Sequence, residues 1–227
     1  MSTPPKGLLL VDKAPGCTSF DIVSLLRRLT REKTIGHAGT LDPFASGVMV
    51  MLIGREFTRR SSTFLSSDKQ YRAIATLGIA TDSHDKDGRV VSRSEIIPTQ
   101  RQVELALASF QGEILQVPPM FSAKKIEGKK LYELARRGIV IERQPVTVRV
   151  QIECIRYSYP ELELLIDCSK GTYIRSLGHD IGQALGCGAY LTSLTRLRVG
   201  PFTLEECVPQ NHLKNQEFDL TPHLRYL

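Results

Sequence analysis

The stretch TIGHAGTLDPFASG, residues 34–47, places three glycines and one proline around a single carboxylate, that of Asp42. Glycine frees the backbone from most steric limits and proline fixes φ, so this loop is shaped to hold one side chain in one place. Nucleophiles are often presented on such constrained turns. Asp followed by Pro43 is also typical of a helix start, with Asp42 as N-cap and Pro43 as the first helical residue. The loop alone leaves both interpretations open.

Buried elements are predicted on both sides of this loop. Residues 8–11 and 48–53 are continuous apolar runs, which indicate strands buried on both faces. Between them, a Thr18-x-x-Asp21 capping box predicts the start of an amphipathic helix. Its apolar stripe consists of Ile22, Leu25, Leu26 and Leu29. The Asp42 loop is therefore expected between a helix and a buried strand.

The middle of the chain predicts a β-hairpin. Residues 71–77 alternate between apolar and more polar side chains, as a half-buried strand does. A turn-rich segment, residues 82–88, separates them from Val90 and Val91. Two extended segments joined by turn residues favour antiparallel pairing.

The second half of the chain continues to mix helices with strands. A capping box that begins at Thr99 predicts a helix to about residue 110. Residues 146–152 show the clearest strand alternation of the sequence, and residues 162–168 predict a further strand that leads into a helix. Because no regular βαβ repeat emerges, the predicted fold class is α+β.

The composition favours a globular protein and suits a polyanionic partner without requiring one. Hydrophobic residues make up 41% of the chain and charged residues 24%, and the net charge is +6. Residues 122–150 contain eight basic and three acidic side chains, a local charge of +5. This segment is interpreted as contacting phosphate groups, although apolar residues at helical spacing also allow a solvated helix face. The basic residues singled out are Lys124, Lys129, Lys130, Arg136 and Arg137.

The sequence gives little support for a metal ion, a nucleotide cofactor or a membrane location. The five cysteines form no C-x-x-C pair and have no zinc-like spacing with histidine, so reduced thiols and no metal site are expected. Residues 82–88 resemble a calcium loop, but the loop lacks carboxylates at its first and last ligand positions. No glycine-rich nucleotide motif occurs. Without an apolar leader or a membrane-length apolar run, the prediction is a soluble, cytoplasmic protein.

The Asp42 loop closely resembles the Gly-His-x-Gly-x-Leu-Asp-Pro-x-Ala-x-Gly loop of the TruB family of tRNA pseudouridine synthases. Other segments resemble this family in the same order and at similar spacing. They are GLLLVDK (7–13) with PGCTS (15–19), DKQYRA (68–73), TDSHD (81–85) with Gly88, VPPMFSAKK (117–125) and CSKGTYIRSL (168–177). The similarity covers roughly residues 6–200.

The resemblance implies a pseudouridine synthase fold, with a mixed, mainly antiparallel central sheet flanked by helices and loops. It implies a catalytic domain at residues 1–200, with a basic RNA-binding insertion at about 122–143. Many members carry a C-terminal RNA-binding PUA domain. Only about 27 residues, 201–227, remain here, so that domain is expected to be truncated or absent.

By resemblance, three residues have catalytic roles. Asp42 matches the family's nucleophile, and Arg175 matches the arginine that reaches this aspartate. Tyr71 matches the tyrosine that stacks on the target uracil and takes part in removal of the C5 proton. For a lone tyrosine in a strand, a half-buried core position would be the simpler interpretation.

Four further residues are expected to bind substrate. Tyr173 and Leu194 match residues that line the base pocket, although a leucine is by default part of a core. His37 matches the histidine that fills the space near the extruded nucleotide, and Lys13 belongs to the N-terminal motif. The uridine must leave the base stack before its reacting atoms are accessible.

The implied reaction converts uridine to pseudouridine at position 55, in the T-loop of tRNA, without a cofactor or metal. The expected partner is the tRNA T stem-loop, with no obligate protein partner and a monomeric enzyme. Alternatives are a non-catalytic RNA-binding or tRNA-folding module on the same scaffold, and a synthase that acts on another RNA. The joint presence of Asp42, Tyr71 and Arg175 favours the enzyme.

Overall fold

The computed structural model describes residues 4–122, 125–126, 128–135, 137–139 and 141–226. The chain forms two compact units. Unit 1 comprises Met1–Gln70 and Thr195–Leu227, and unit 2 comprises Tyr71–Leu194.

The strands are β1 (Gly7–Lys13), β2 (Ile35–His37), β3 (Ser46–Ile53), β4 (Lys69–Leu77), β5 (Ile79–Thr81), β6 (Val90–Arg93), β7 (Gly112–Gln116), β8 (Lys125–Ile126), β9 (Lys129–Lys130), β10 (Val146–Ser158), β11 (Glu161–Cys168), β12 (Ala189–Val199), β13 (Phe202–Thr203) and β14 (Val208–Pro209). The helices are α1 (Ser19–Thr30), α2 (Arg55–Thr58), α3 (Ser61–Leu65), α4 (Gln100–Ala108), α5 (Leu131–Ala135) and α6 (Ile174–Ala184), with short 3₁₀ turns at Leu204–Glu206, Gln210–Lys214 and Thr221–His223.

Unit 1 is built on the antiparallel pair β1 and β3, which confirms the two predicted buried strands. Gly7 lies opposite Ile53, and Lys13 lies opposite Gly47. Strand β2 pairs antiparallel with β3, whereas β14 runs parallel to β1. The register brings Lys13, the last residue of β1, next to the point where the chain leaves the Asp42 loop.

The helix predicted before the Asp42 loop is α1. Thr18 and Asp21 form the predicted reciprocal capping box, and Ile22, Val23 and Leu26 are buried. A capping box satisfies two backbone donors that have no partner within the helix, so it fixes where the helix begins. The first residue of α1, Ser19, is consequently held in a defined position.

The interpretation of Asp42 as a helix N-cap is wrong. Residues 43 and 44 form a turn, in which Ala45 N donates to Asp42 O at 3.1 Å, and the chain then enters β3 at Ser46. Proline sets φ in a tight turn as readily as in a first helical turn, so the Asp-Pro pair does not distinguish the two. The loop therefore connects two strands.

The segment after Gly200 completes unit 1. Strand β14 adds to β1, and Leu8 and Arg225 exchange backbone hydrogen bonds of 2.9 and 2.8 Å. These residues thus belong to the same compact unit as the Asp42 loop.

In unit 2 the strand order is β12, β4, β11, β10 and β7. Strand β10 pairs antiparallel with both β11 and β7, and alternate residues of its first half are buried, as predicted. The predicted hairpin exists, but its first strand is β5 rather than β4. Gly78, with φ of 89°, directly follows β4; a side chain there would lie 2.6 Å from the Tyr159 hydroxyl.

Both units mix strands with helices, which confirms the α+β class. Within the described residues, no helix combines the length and apolar character needed to cross a bilayer. All five cysteines are free thiols. In the same part of the chain, no cluster of three or more histidine, cysteine, aspartate or glutamate side chains could hold a metal ion.

Candidate active site

Residues 38–45 connect β2 to β3 in unit 1 and are called the nucleophile loop, after the predicted role of Asp42. Ala38 N donates to Val50 O at 2.9 Å, which extends the pairing of β2 with β3 to the first residue of the loop. Asp42, directly before the two turn residues, is half-buried, and the next residue, Pro43, is exposed. A carboxylate at this position can be reached by a ligand while its backbone stays fixed.

Lys13 and Ser19 hold the backbone on both sides of Asp42. The Lys13 ammonium is fully buried and donates to Ala45 O at 2.7 Å and Pro43 O at 3.3 Å. The Ser19 hydroxyl accepts from Leu41 N at 2.9 Å and donates to Leu41 O at 3.0 Å. Sequence reasoning missed Ser19, because a serine in a first helical turn is unremarkable without its long-range contact.

The ammonium of Lys13 also donates to Cys17 O at 2.8 Å and to Ala14 O at 3.0 Å. Burial lowers the pKa of Lys13, and the proximity of Cys17 and Asp42 opposes this shift. Its position among backbone carbonyls gives Lys13 a part in holding the nucleophile loop. Its predicted role in substrate binding stays a prediction.

His37 ends β2, directly before the nucleophile loop. Burial, followed by the nearby charge of Arg196, lowers the pKa of its imidazole. Its Nδ1 atom is buried without a hydrogen-bond partner in the described part of the chain. A neutral ring with an unused polar atom suits contact with a nucleobase, which offers both a flat face and hydrogen-bonding groups.

Arg175 lies in the first turn of α6, in unit 2, and only 4% of it is exposed. Its guanidinium lies 3.4 Å from a carboxylate oxygen of Asp85 and donates to Ser83 O at 2.9 Å and Phe121 O at 2.6 Å. Asp85 is itself buried. The segment at residues 82–88 therefore positions an arginine, and Asp85 is a second residue that sequence reasoning missed.

Two histidines stack beside Arg175. The rings of His84 and His179 lie 3.9 Å apart with an angle of 3° between their planes. Burial, then the charges of His179 and Arg175, lowers the pKa of His84 to about 4, and burial also lowers the pKa of His179. Both rings are consequently neutral near pH 7.

The remaining predicted residues of unit 2 occupy ordered positions. Tyr71 in β4 and Leu194 in β12 are buried. Tyr173 caps α6, and its backbone N and O atoms bond to the side-chain amide of the buried Gln116 at 2.7 and 3.0 Å. Tyr173 and Arg175 therefore start the same helix. The structure places Asp42, Lys13 and His37 in unit 1 and the other predicted residues in unit 2.

The basic segment is described only in part. Lys124 and Arg136 lie outside the described residues, and Lys129 and Lys130 are described only as the backbone of β9. Arg137 is exposed, directly beyond α5, which buries Leu131 and Leu134. These facts fit either interpretation of the segment, so RNA contact stays a prediction.

Curated relatives match nearly the whole chain. A protein named tRNA pseudouridine synthase B from Chlamydia muridarum is 58% identical over 222 residues, which cover 98% of this chain and 92% of that protein. The protein of the same name from Chlamydia pneumoniae is 57% identical over 97% of this chain and 94% of its own length. A more distant one, from Opitutus terrae, is 45% identical over 89% of this chain and 84% of its own.

Solved structures and family models agree with this similarity. The structure of a Cbf5-Nop10-Gar1 complex contains a chain with a TM-score of 0.71 and 29% identity, which matches 91% of this chain but only 53% of its own length. Residues 27–174 match the model of the TruB family pseudouridylate synthase N-terminal domain. Residues 175–225 match that of the tRNA pseudouridylate synthase B C-terminal domain. The predicted pseudouridine synthase fold is thus confirmed, and the chain belongs to the TruB family of pseudouridylate synthases.

Proposed function

We propose that this protein converts one uridine of tRNA, at position 55 in the T-loop, to pseudouridine, with Asp42 as the nucleophile. As a member of the TruB family it is a pseudouridine synthase, which is an isomerase. The names of relatives that are 58% and 57% identical support a tRNA substrate. The observation that carries the proposal is the nucleophile loop, whose backbone is held on both sides of one half-buried carboxylate.

The reaction breaks the bond between ribose C1′ and uracil N1 and joins C1′ to C5 of the same uracil. C5 loses a proton and N1 gains one, so the product is an isomer of the substrate. The protein must supply a nucleophile and an acceptor for the C5 proton. We assign the first role to Asp42 and the second to Tyr71. Arg175 supplies a fixed positive charge, since a guanidinium stays protonated when buried.

The target uridine has to leave the base stack, which costs on the order of a few kcal/mol. Contacts between protein and RNA must offset this cost. His37, Tyr173 and Leu194 are the proposed contacts to the extruded nucleotide, since two of them are flat rings and the third is apolar. Burial lowers the pKa of His37 and so favours its neutral form, in which the ring can contact a base without carrying a charge.

Incubation with an unmodified tRNA transcript tests the proposal. Chemical adduct formation and primer extension should give a single new stop at position 55, and a transcript with cytidine at that position is the control. Asp42→Asn should reduce the stop to background while tRNA binding persists, because the side chains are nearly isosteric and only the carboxylate is nucleophilic. Undiminished turnover by this variant would contradict the nucleophile assignment. Binding without turnover by the unaltered protein would favour the RNA-binding module.

The basic segment has its own test. Replacing Lys129, Lys130 and Arg137 with glutamine should weaken tRNA binding and flatten its dependence on salt, by about 0.7–0.9 in the logarithmic slope for each lost phosphate contact. Exchanging the exposed Arg101 of α4 for glutamine is the matched control. An unchanged slope in the triple variant would identify the segment as a solvated surface.

A further inference from the structure

Arg196 is a buried cation that the proposed chemistry does not use. It lies in the part of β12 that belongs to unit 1, and only 1% of it is exposed. Its guanidinium donates to Val48 O at 2.7 Å, Gly39 O at 3.1 Å and Thr40 O at 3.3 Å. All three acceptors are backbone carbonyls, and two of them belong to the nucleophile loop.

The backbone of Arg196 holds the other end of the same loop. Arg196 pairs in parallel with Gly47, and Thr195 pairs with Ser46. Gly47 has φ of 103°, and a side chain there would lie 2.2 Å from Arg196 O. Only glycine permits this close approach. One residue thus fixes the start of the loop with its side chain and the start of β3 with its backbone.

The contacts of Arg196 complement those of Lys13 and Ser19. Arg196 holds the carbonyls two and three residues before Asp42, Ser19 holds the residue just before it, and Lys13 holds two carbonyls after it. We propose that Arg196 is a positioning residue, which sets the orientation of the Asp42 carboxylate through the backbone of the nucleophile loop. This proposal rests on the proposed function of Asp42.

The chemistry of the side chain supports a specific role. Burying a cation is energetically costly, and an apolar side chain would fill a strand interior at less cost. A guanidinium presents donors in a planar fork that can reach three carbonyls at fixed angles, whereas an ammonium is a single point with rotating donors. Arg196→Lys therefore keeps the positive charge and the backbone pairing of β12, but it cannot keep the hydrogen bonds to the same three carbonyls.

The test compares Arg196→Lys and Arg196→Gln with Arg198→Lys. Arg198 lies on the same strand and donates to Gly200 O, outside the nucleophile loop. Both Arg196 variants should lower kcat about 100-fold, the cost of a displacement of about 1 Å in a reacting group, with KM for tRNA unchanged. Amide hydrogen exchange should accelerate in residues 38–45 and stay unchanged elsewhere. Arg198→Lys should alter neither quantity.

Three outcomes would overturn the proposal. The first is a normal kcat in both Arg196 variants, and the second is a loss of kcat accompanied by faster exchange throughout the protein. The third is global unfolding of both variants, which would make Arg196 a folding residue. If the unaltered protein forms no pseudouridine, the proposed function fails, while the exchange measurement still tests whether Arg196 holds the loop.

Discussion

The nucleophile loop in unit 1 and the Arg175 region in unit 2 are both organised by buried charge, but in opposite ways. In unit 1, Lys13 donates to backbone carbonyls, and the side chain of Asp42 is left half-buried. In unit 2, Arg175 is itself the side chain that is held, by the Asp85 carboxylate and two carbonyls. The backbone on both sides of Asp42 is thus held by other side chains, whereas Arg175 is held by contacts of its own guanidinium.

The largest expected effect comes from changing Arg175, the side chain that is held in unit 2. Arg175→Lys should lower the single-turnover rate by about 10²–10³, as the loss of one fixed charge-stabilising donor does. Asp85→Asn should have a smaller effect in the same direction, since the amide oxygen can still contact the guanidinium but carries no negative charge. Single-turnover measurements at saturating enzyme isolate the chemical step.

Asp82→Asn is the control for this pair, because Asp82 lies in the same loop but bonds to the exposed Arg89. If Asp82→Asn were as damaging as Asp85→Asn, integrity of the loop rather than the buried ion pair would position Arg175.

The next prediction concerns the pH dependence of folding stability, to which the half-buried His84 of unit 2 contributes. The pKa of His84 falls from 6.5 to about 4 on folding. Between these values the unfolded state binds more protons, so this histidine makes stability rise with pH, by about 3 kcal/mol in total. Asp180 acts with the opposite sign in part of the window, because burial raises its pKa from 3.8 to about 6.

His84→Asn should isolate the contribution of this histidine to the pH dependence of stability, since asparagine tolerates the φ of 64° at this position. The difference in unfolding free energy between variant and unaltered protein should grow in favour of the variant as pH falls from 6.5 to 4. Urea titrations at several pH values measure this difference. A difference that stays constant over this pH range would contradict the assignment.

Ser19→Ala tests whether the reaction needs the hydrogen bonds that hold the backbone of the nucleophile loop at Leu41. The change removes the partner of Leu41 N and Leu41 O and leaves buried backbone groups unpaired, at a cost of about 1–3 kcal/mol. The pseudouridylation rate should fall more than tRNA binding. Ser24→Ala, in the same helix, removes only a bond to Phe20 O and should keep full activity. Equal rates for the two variants would show that the loop does not need its hold at Leu41.

Much of the fold could be predicted because its signals are local. Each capping box, at Thr18 and at Thr99, depends on residues only three positions apart, and the alternation of apolar and polar residues in β10 depends on next-but-one neighbours. All three features are present in the structure. The Asp42 turn could not be separated from a helix start, because the deciding contact is the approach of Arg196 to Gly47, far away in sequence.

The candidate site shows the same limit. Family resemblance marked Asp42, Tyr71 and Arg175. Two of the matching segments contain Ser19 and Asp85, but no role was assigned to either residue, and Arg196 lies outside the matching segments. The side chains of Ser19, Asp85 and Arg196 act on backbone or on other side chains across long sequence separations. A buried arginine and an exposed one look identical in a sequence, since burial is decided by which strands become neighbours.

The smallest effect separates stability from activity with one pair of variants. Thr18→Ala and Thr99→Ala each remove an exposed N-cap residue of a capping box, so each should cost about 1 kcal/mol of unfolding free energy. Only Thr18 precedes a residue that holds the nucleophile loop, because Ser19 is the first residue of α1. Thr18→Ala should therefore lower the rate of pseudouridine formation at temperatures where both variants remain folded, whereas Thr99→Ala should not. Equal rates would mean that Ser19 keeps its position, and its hydrogen bonds to Leu41, without the cap.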